Sequence, residues 1–133
     1  MTTDKGTVET WMAGYRRAWD SSNRDDIRAL FTADASYRTA PFEEPRVGAD
    51  AIVEGWVEDR DEPDDYDFTW SLAGIDGDLA FVEGETTYNG SRHGSARRYS
   101  NLWVIRFAPD GRASSFTEWY MRQGAAGAPG SLG

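Results

Sequence analysis

The sequence predicts one α+β domain, with helices first and then a meander of long strands curved enough to leave a concave face. Two observations carry this. Apolar residues recur at three- and four-residue steps early in the chain and alternate two by two from Asp67 onward. The 133 residues also hold six Trp, six Tyr and six Phe. Such rings carry large apolar area, and Tyr and Trp add a polar handle, a mixture that suits a selective apolar cavity. The length fits a single domain.

Met1 to Gly6 is polar and is expected to be flexible. Val8, Trp11, Met12, Tyr15, Ala18 and Trp19 then define an amphipathic helix from about Thr7 to Ser21. Asn23 is an N-cap for a short second helix holding Ile27, Leu30 and Phe31, with Asp25 and Asp26 in its first turn. Ala35 to Ala40 reads as a strand, with Tyr37 and Thr39 on one side. Pro41 and Pro45 mark a bend, and Gly48 precedes a third helix, about Ala49 to Asp59, carrying Ile52, Trp56 and Val57.

An acidic loop with Pro63 leads to four strands: Asp67 to Ile75, Leu79 to Tyr88, Arg97 to Phe107 and Ala113 to Met121. Turn residues separate them, at Asp76-Gly77-Asp78, at Asn89 to Ser95 and at Pro109-Asp110-Gly111. The Gly-, Ala-, Pro- and Ser-rich tail from Gln123 is expected to be disordered, so the folded domain spans residues 7–122. Helices on one side of a meander make an α+β domain, and the first helix would close over the concave face.

Several function classes are disfavoured. A net charge of -9 with no basic tract opposes nucleic acid and anionic membrane surfaces. With no Cys there is no disulfide, thiol nucleophile or thiolate metal site, and one His leaves no multi-His site. His93 sits in a Gly-flanked hairpin and is expected to be solvated. The acidic run from Glu58 to Asp65 lacks calcium-loop spacing and reads as a solvated charge run. Asn89-Gly90-Ser91 matches a glycosylation sequon without any sign of secretion. No signal peptide or membrane span is evident, which leads to an expectation of a soluble cytoplasmic protein.

Period two sorts the strand faces. Tyr99, Asn101, Trp103, Ile105 and Phe107 share one face, and Phe116, Glu118 and Tyr120 share another. Each set is mainly aromatic with one polar member. A carboxylate on an apolar face is desolvated, which raises its pKa toward the range of a general acid or base. The alternatives for Glu118 are a place at the open rim or a pair with Arg97 or another Arg. Asn101 needs a hydrogen-bond partner, which a ligand or a neighbour supplies. Tyr15 is a core or pocket residue whose hydroxyl seeks a partner. Glu83 and Glu85 face Arg97 and Arg98 as cross-strand ion pairs. Leu102 and Val104 make the opposite face apolar too, to be covered by a second subunit, giving a homodimer, or by the chain's own helices.

A family likeness now enters. Tyr15 through Trp19, Leu30-Phe31, Asp34-Ala35, Tyr37, Pro41-Phe42, Pro45, Gly48 and Ile52 resemble the opening of nuclear-transport-factor-2-like proteins. Tyr99-Ser-Asn101, Ile105-Arg-Phe107, Asp110-Gly111-Arg112 and Glu118-Trp-Tyr120 resemble their SnoaL-like, polyketide cyclase-like branch. The resemblance implies a cone-shaped antiparallel sheet wrapped around a pocket, frequent dimers and a site under the first helix. It implies no single activity. Compared with ketosteroid isomerases, Tyr15 falls on the oxyanion-hole tyrosine. Thr39 replaces the general-base aspartate and Trp103 replaces the protonated aspartate, so that mechanism is not expected here.

The catalytic candidates are therefore Glu118 as base and Tyr15 and Asn101 as donors to an enolate oxygen. The candidate ligand walls are Trp19, Tyr37, Thr39, Phe42, Trp56, Trp70, Tyr99, Trp103, Phe116 and Tyr120. Proton abstraction beside a carbonyl, in a small hydrophobic compound, requires no cofactor or metal. The same cavity would equally serve a binding protein without turnover, or an interaction protein with a vestigial pocket.

Overall fold

The computed structural model describes residues 2–40, 42–58, 66–88 and 97–123. The expectations for His93, the sequon, the acidic run beyond Glu58 and the tail beyond Gln123 lie outside the described residues. Helix α1 spans Lys5–Ser21, α2 Arg24–Arg28 and α3 Ala49–Glu58. The strands are β1 (Phe31–Arg38), β2 (Arg46–Val47), β3 (Tyr66–Asp76), β4 (Leu79–Tyr88), β5 (Arg97–Phe107) and β6 (Ala113–Arg122).

The strands form one curved, unclosed sheet in the order β2-β1-β6-β5-β4-β3. It is antiparallel except where β1 runs parallel to β6. Three register shifts bend it, in β1 between Phe31 and Ser36, in β3 between Leu72 and Gly74, and between β5 and β6 near Arg106 and Phe107. Such irregularities sharpen the local twist of a strand.

The N-terminus differs in detail from the sequence reading. Asp4 caps α1, its carboxylate accepting the Thr7 N–H at 2.8 Å. The helix therefore begins at Lys5, inside the stretch expected to be flexible. Asn23 caps α2 as anticipated, accepting from the Asp25 and Asp26 amides at 2.8 and 3.1 Å. That helix stops at Arg28, and Phe31 opens β1 rather than closing α2. The short strand β2 replaces the plain bend expected before Gly48, whose φ of +98° turns the chain into α3. At the other end the Gln123 N–H still reaches the Arg98 carbonyl at 2.8 Å.

Helix α1 crosses the concave face and buries Val8, Trp11, Met12, Tyr15 and Ala18. The Trp11 indole N–H donates to the Leu30 carbonyl at 2.9 Å, tying α1 to the start of β1. Arg16 ties the same helix to β3, donating to Asp67 at 3.0 Å with its guanidinium 4.9 Å from the Phe68 ring centre. The inner face of β5 reads Asn101, Trp103, Ile105 and Phe107, all buried. On β4 the inner positions are Ala80, Val82, Gly84, Thr86 and Tyr88, the first four being smaller residues that leave room for the rings of β5.

Gly84 has a specific duty there. A Cβ on it would lie 2.3 Å from the Thr69 carbonyl oxygen and 2.6 Å from the Trp103 ring. The bare backbone lets the Trp103 indole lie over β4. Gly84→Ala is expected to cost about 2 kcal/mol through overpacking, seen as a lower urea midpoint. Gly74→Ala, whose added methyl meets nothing within 4 Å, is the near-neutral control.

Candidate functional site

Between α1 and the concave face of β3–β6 lies a cavity of about 350 Å³. Tyr15 and Trp19 form its roof, and Tyr99, Asn101, Trp103, Glu118 and Tyr120 are among its walls. A second cavity of about 420 Å³ adjoins it, bounded by Tyr37, Arg38 and Thr39, by Trp56 of α3 and by the Glu43–Arg46 loop. Trp19, Tyr88, Glu118 and Tyr120 line both, so the two are chambers of one cleft with Glu118 at the divide.

The polar anchor is built across three adjacent strands. Trp103 of β5 stands directly opposite Glu118 of β6, and Asn101 opposite Tyr120. The Asn101 amide donates to Glu118 Oε2 at 2.8 Å and the Trp103 indole N–H donates to the same oxygen at 3.1 Å. Thr86 of β4 donates its hydroxyl to Asn101 Oδ1 at 2.8 Å, which turns the amide so that its nitrogen faces the carboxyl group. Both donors converge on Oε2, and Oε1 receives neither. Among the described residues no arginine pairs with Glu118.

Burial pushes the Glu118 carboxyl up to about 7, and the hydrogen bonds from Asn101 and Trp103 offset only part of the rise. An acid poised there changes protonation near neutral pH, which is what a general acid or base requires. Tyr15 is 2% exposed, and burial followed by the nearby Glu118 charge holds its phenol well above its ordinary value of 10.0. It therefore stays a neutral hydroxyl. The Trp19 ring packs edge-on against the phenol ring, with centres 6.2 Å apart.

Three sequence-derived wall residues do not reach the cleft. Phe42 is 100% exposed, on the outside of the bend. Phe116 is fully buried beneath the cleft, stacked on Tyr37 at 4.9 Å and packed against Tyr15 at 5.7 Å. Trp70 packs against the core farther along β3. The remaining candidates line one chamber or both.

The sequence reading missed Thr86, Tyr88, Arg97, Tyr66, Phe68 and Arg38, which also form walls. Alternation from Ala80 and Val82 puts Thr86 and Tyr88 on the inner face of β4. Arg98 pairs with Glu85 at 2.8 Å as expected, whereas the Arg97 guanidinium sits 4.5 Å from the Tyr88 ring centre. Among the described residues no group of three or more His, Asp or Glu is placed to hold a metal ion. No helix among them is long and apolar enough to cross a membrane.

Comparison with known proteins follows the same lines. A family model for the SnoaL-like domain matches residues 12–116. The epoxide hydrolase/cyclase-like enzyme SalBIII, of pyran ring formation in polyether salinomycin, has a similar structure. It is 19% identical, with a TM-score of 0.69 over 89% of this chain and 93% of that one. An NTF-2-like protein of unknown function from Burkholderia xenovorans superposes with a TM-score of 0.69 at 17% identity, over 95% and 90% of the two chains. A ketosteroid isomerase-like protein from Erwinia carotovora atroseptica gives 0.63 at 18% identity, over 87% and 95%. At such identities the likeness is one of fold. No curated protein sequence matches the chain.

The Glu118 carboxyl makes folding pH-dependent in a definite direction. Below its ordinary value of 4.5 both the folded and unfolded chains hold the proton. As pH rises toward about 7, only the folded chain keeps it, so stability falls and the loss is complete above that value. The shift corresponds to roughly 3 kcal/mol. Urea unfolding of wild type and Glu118→Gln from pH 4 to pH 8 should show this decline in the wild type and its absence in the variant.

Proposed function

The chain belongs to the SnoaL-like domain family, and from this premise we propose that its cleft holds a small apolar carbonyl compound on which Glu118 transfers a proton. The observation that carries this reading is a half-buried carboxyl group near neutral pKa, set between Asn101 and Trp103 in an aromatic chamber. As a carboxylate, Glu118 takes a proton from the carbon beside the carbonyl. The C–H electrons move into the new C=C bond and the carbonyl pair onto oxygen, forming an enolate. The Tyr15 phenol, and the Asn101 amide hydrogen not used on Glu118, are the donors suited to that oxygen.

The enolate has two outcomes. Return of the proton from Glu118 to a different carbon is an isomerisation. Attack by the enolate carbon on a second carbonyl is an aldol-type cyclisation, in which Glu118 then protonates the new alkoxide. Both leave Glu118 as it began. Trp19, Trp103 and Tyr99 exclude water from the chamber, which strengthens each electrostatic contact inside it.

The test uses deuterium exchange at the α-carbons of 2-tetralone, followed by proton NMR. The wild-type protein should accelerate exchange, with a rate that rises with pH through about 7 as Glu118 ionises. Glu118→Gln should lower the rate on the order of a hundredfold or more. Equal rates in the two proteins would sink the reading. A ligand-holding role without turnover has one observation in its favour: Thr86, Asn101, Trp103 and Glu118 form a connected hydrogen-bond chain without a ligand. Tight 2-tetralone binding with no exchange would select it.

We also propose that two copies pack through the convex face of the sheet. On that face Leu102 stands opposite Trp119, and Ser100 opposite Met121. Trp119 is 45% exposed and Met121 63%, with Val104 half-buried beside them. A second copy is the partner that would cover this apolar strip by the same strip of its own. Sedimentation velocity should give twice the chain mass for the wild type and the chain mass for Trp119→Glu with Leu102→Glu. A monomeric wild type would overturn the assignment.

A further inference from the structure

The second chamber carries wall chemistry that an apolar carbonyl compound does not use. Arg38, the last residue of β1, lines it and is half-buried. Among the described residues the Arg38 side chain makes no hydrogen bond or ion pair, and its Nε is buried without an acceptor. The Trp56 indole N–H, of a residue that lines the same chamber, is also buried without an acceptor, in a residue 6% exposed. An N–H buried without an acceptor is costly, and such groups are normally paired. Glu43 and Glu44 border the same chamber from the exposed loop, yet neither pairs with Arg38. The chamber is thus lined by two residues with a buried, unmatched donor, the Arg38 Nε–H and the Trp56 indole N–H.

We propose that this chamber is a carboxylate subsite with Arg38 as the receiving group, so that the ligand is an apolar ring compound bearing a carboxylate on a side chain. The inference rests on the reading of the aromatic chamber as a ligand cavity. Guanidinium suits a carboxylate because its planar fork meets both oxygens at once. Trp19, Tyr88, Glu118 and Tyr120 border both chambers, so one molecule spans them, its ring against the aromatic wall and its anion at Arg38. Generic attraction does not account for anion binding here, because the chain's net charge of -9 repels anions at long range. An anion that binds does so through a local contact.

The test compares 4-(1-naphthyl)butanoate with its primary amide by titration calorimetry at pH 6. There the ligand acid is ionised and most of the Glu118 carboxyl is protonated. The acid should bind about tenfold or more tighter than the amide. In Arg38→Met the acid should fall to the affinity of the amide, while the amide binds as before. A readout on the intact protein accompanies this. The nitrogen-15 resonance of the Arg38 Nε–H, assigned by its loss in Arg38→Met, should move with the acid and not with the amide.

Amide binding in the wild type with no gain for the acid overturns the subsite and leaves the aromatic cavity standing. That is the outcome expected if Glu43 and Glu44 neutralise Arg38 in solution. An acid preference that persists in Arg38→Met, with an unmoved Arg38 resonance, also overturns it. Failure of both ligands to bind removes the ligand cavity itself, and the subsite with it.

Discussion

Tyr15 reaches down from α1 into the concave sheet, and its ring meets those of Trp11, Trp56, Phe68, Trp103 and Phe116 at centroid separations of 5.3 to 6.0 Å. A helix laid across a curved sheet fills only part of the space beneath it. This aromatic cluster fills the closed end, where Ile105, Phe107 and Phe116 are also buried. Beyond Tyr15 the helix continues only to Trp19 and Ser21, and Tyr15 and Trp19 both line the hollow. The hollow begins where the Tyr15 hydroxyl ends. Aromatic pairs add to simple area burial, so the packing that stabilises the domain also draws the boundary of its cleft.

Glu118 depends on that boundary. Its backbone belongs to a well-paired strand, but its carboxyl group sits on the hollow side of Tyr15, with the Trp103 indole beneath it. Gly84 allows the indole to lie flat, and Thr86 fixes the amide that supplies the second donor. One inner face of β4 therefore contributes both an absent side chain and an oriented hydroxyl to an acid two strands away. The three groups act as a unit, because moving any of them changes what Oε2 receives.

Much of this was legible from the residues. The four long strands alternate around Asn101 and Glu118, away from the shifts in β3 and at the β5–β6 turn, so period two gives their faces there, and these two polar residues among aromatics mark the anchor. The start of β1 was not legible. Its register shift places its buried residues Phe31 and Ala35 four apart, a spacing that reads as helix. Alternation also gives a face and not a depth, which is why Phe116 and Trp70 were counted with the cleft. Phe42, apolar and next to a proline, reads as inward in the sequence but is fully exposed. Thr86 escaped because β4 carries small residues on its inner face and shows no aromatic stripe. The Arg38 chamber is made by α3, β1 and a loop coming together, and no local pattern encodes that meeting.

The parallel ladder between β1 and β6 has a consequence for how the molecule comes into being. Phe31 pairs with Ala113, about eighty residues later in the chain. On the ribosome, the first strand has only the two-residue β2 beside it until the last strand has emerged. Closing so long a loop carries an entropic cost before any contact repays it. The β3–β6 meander, whose neighbours are consecutive, can form by local hairpins. Assembly thus runs against the order of synthesis, with the earliest-made strand among the last to find its place.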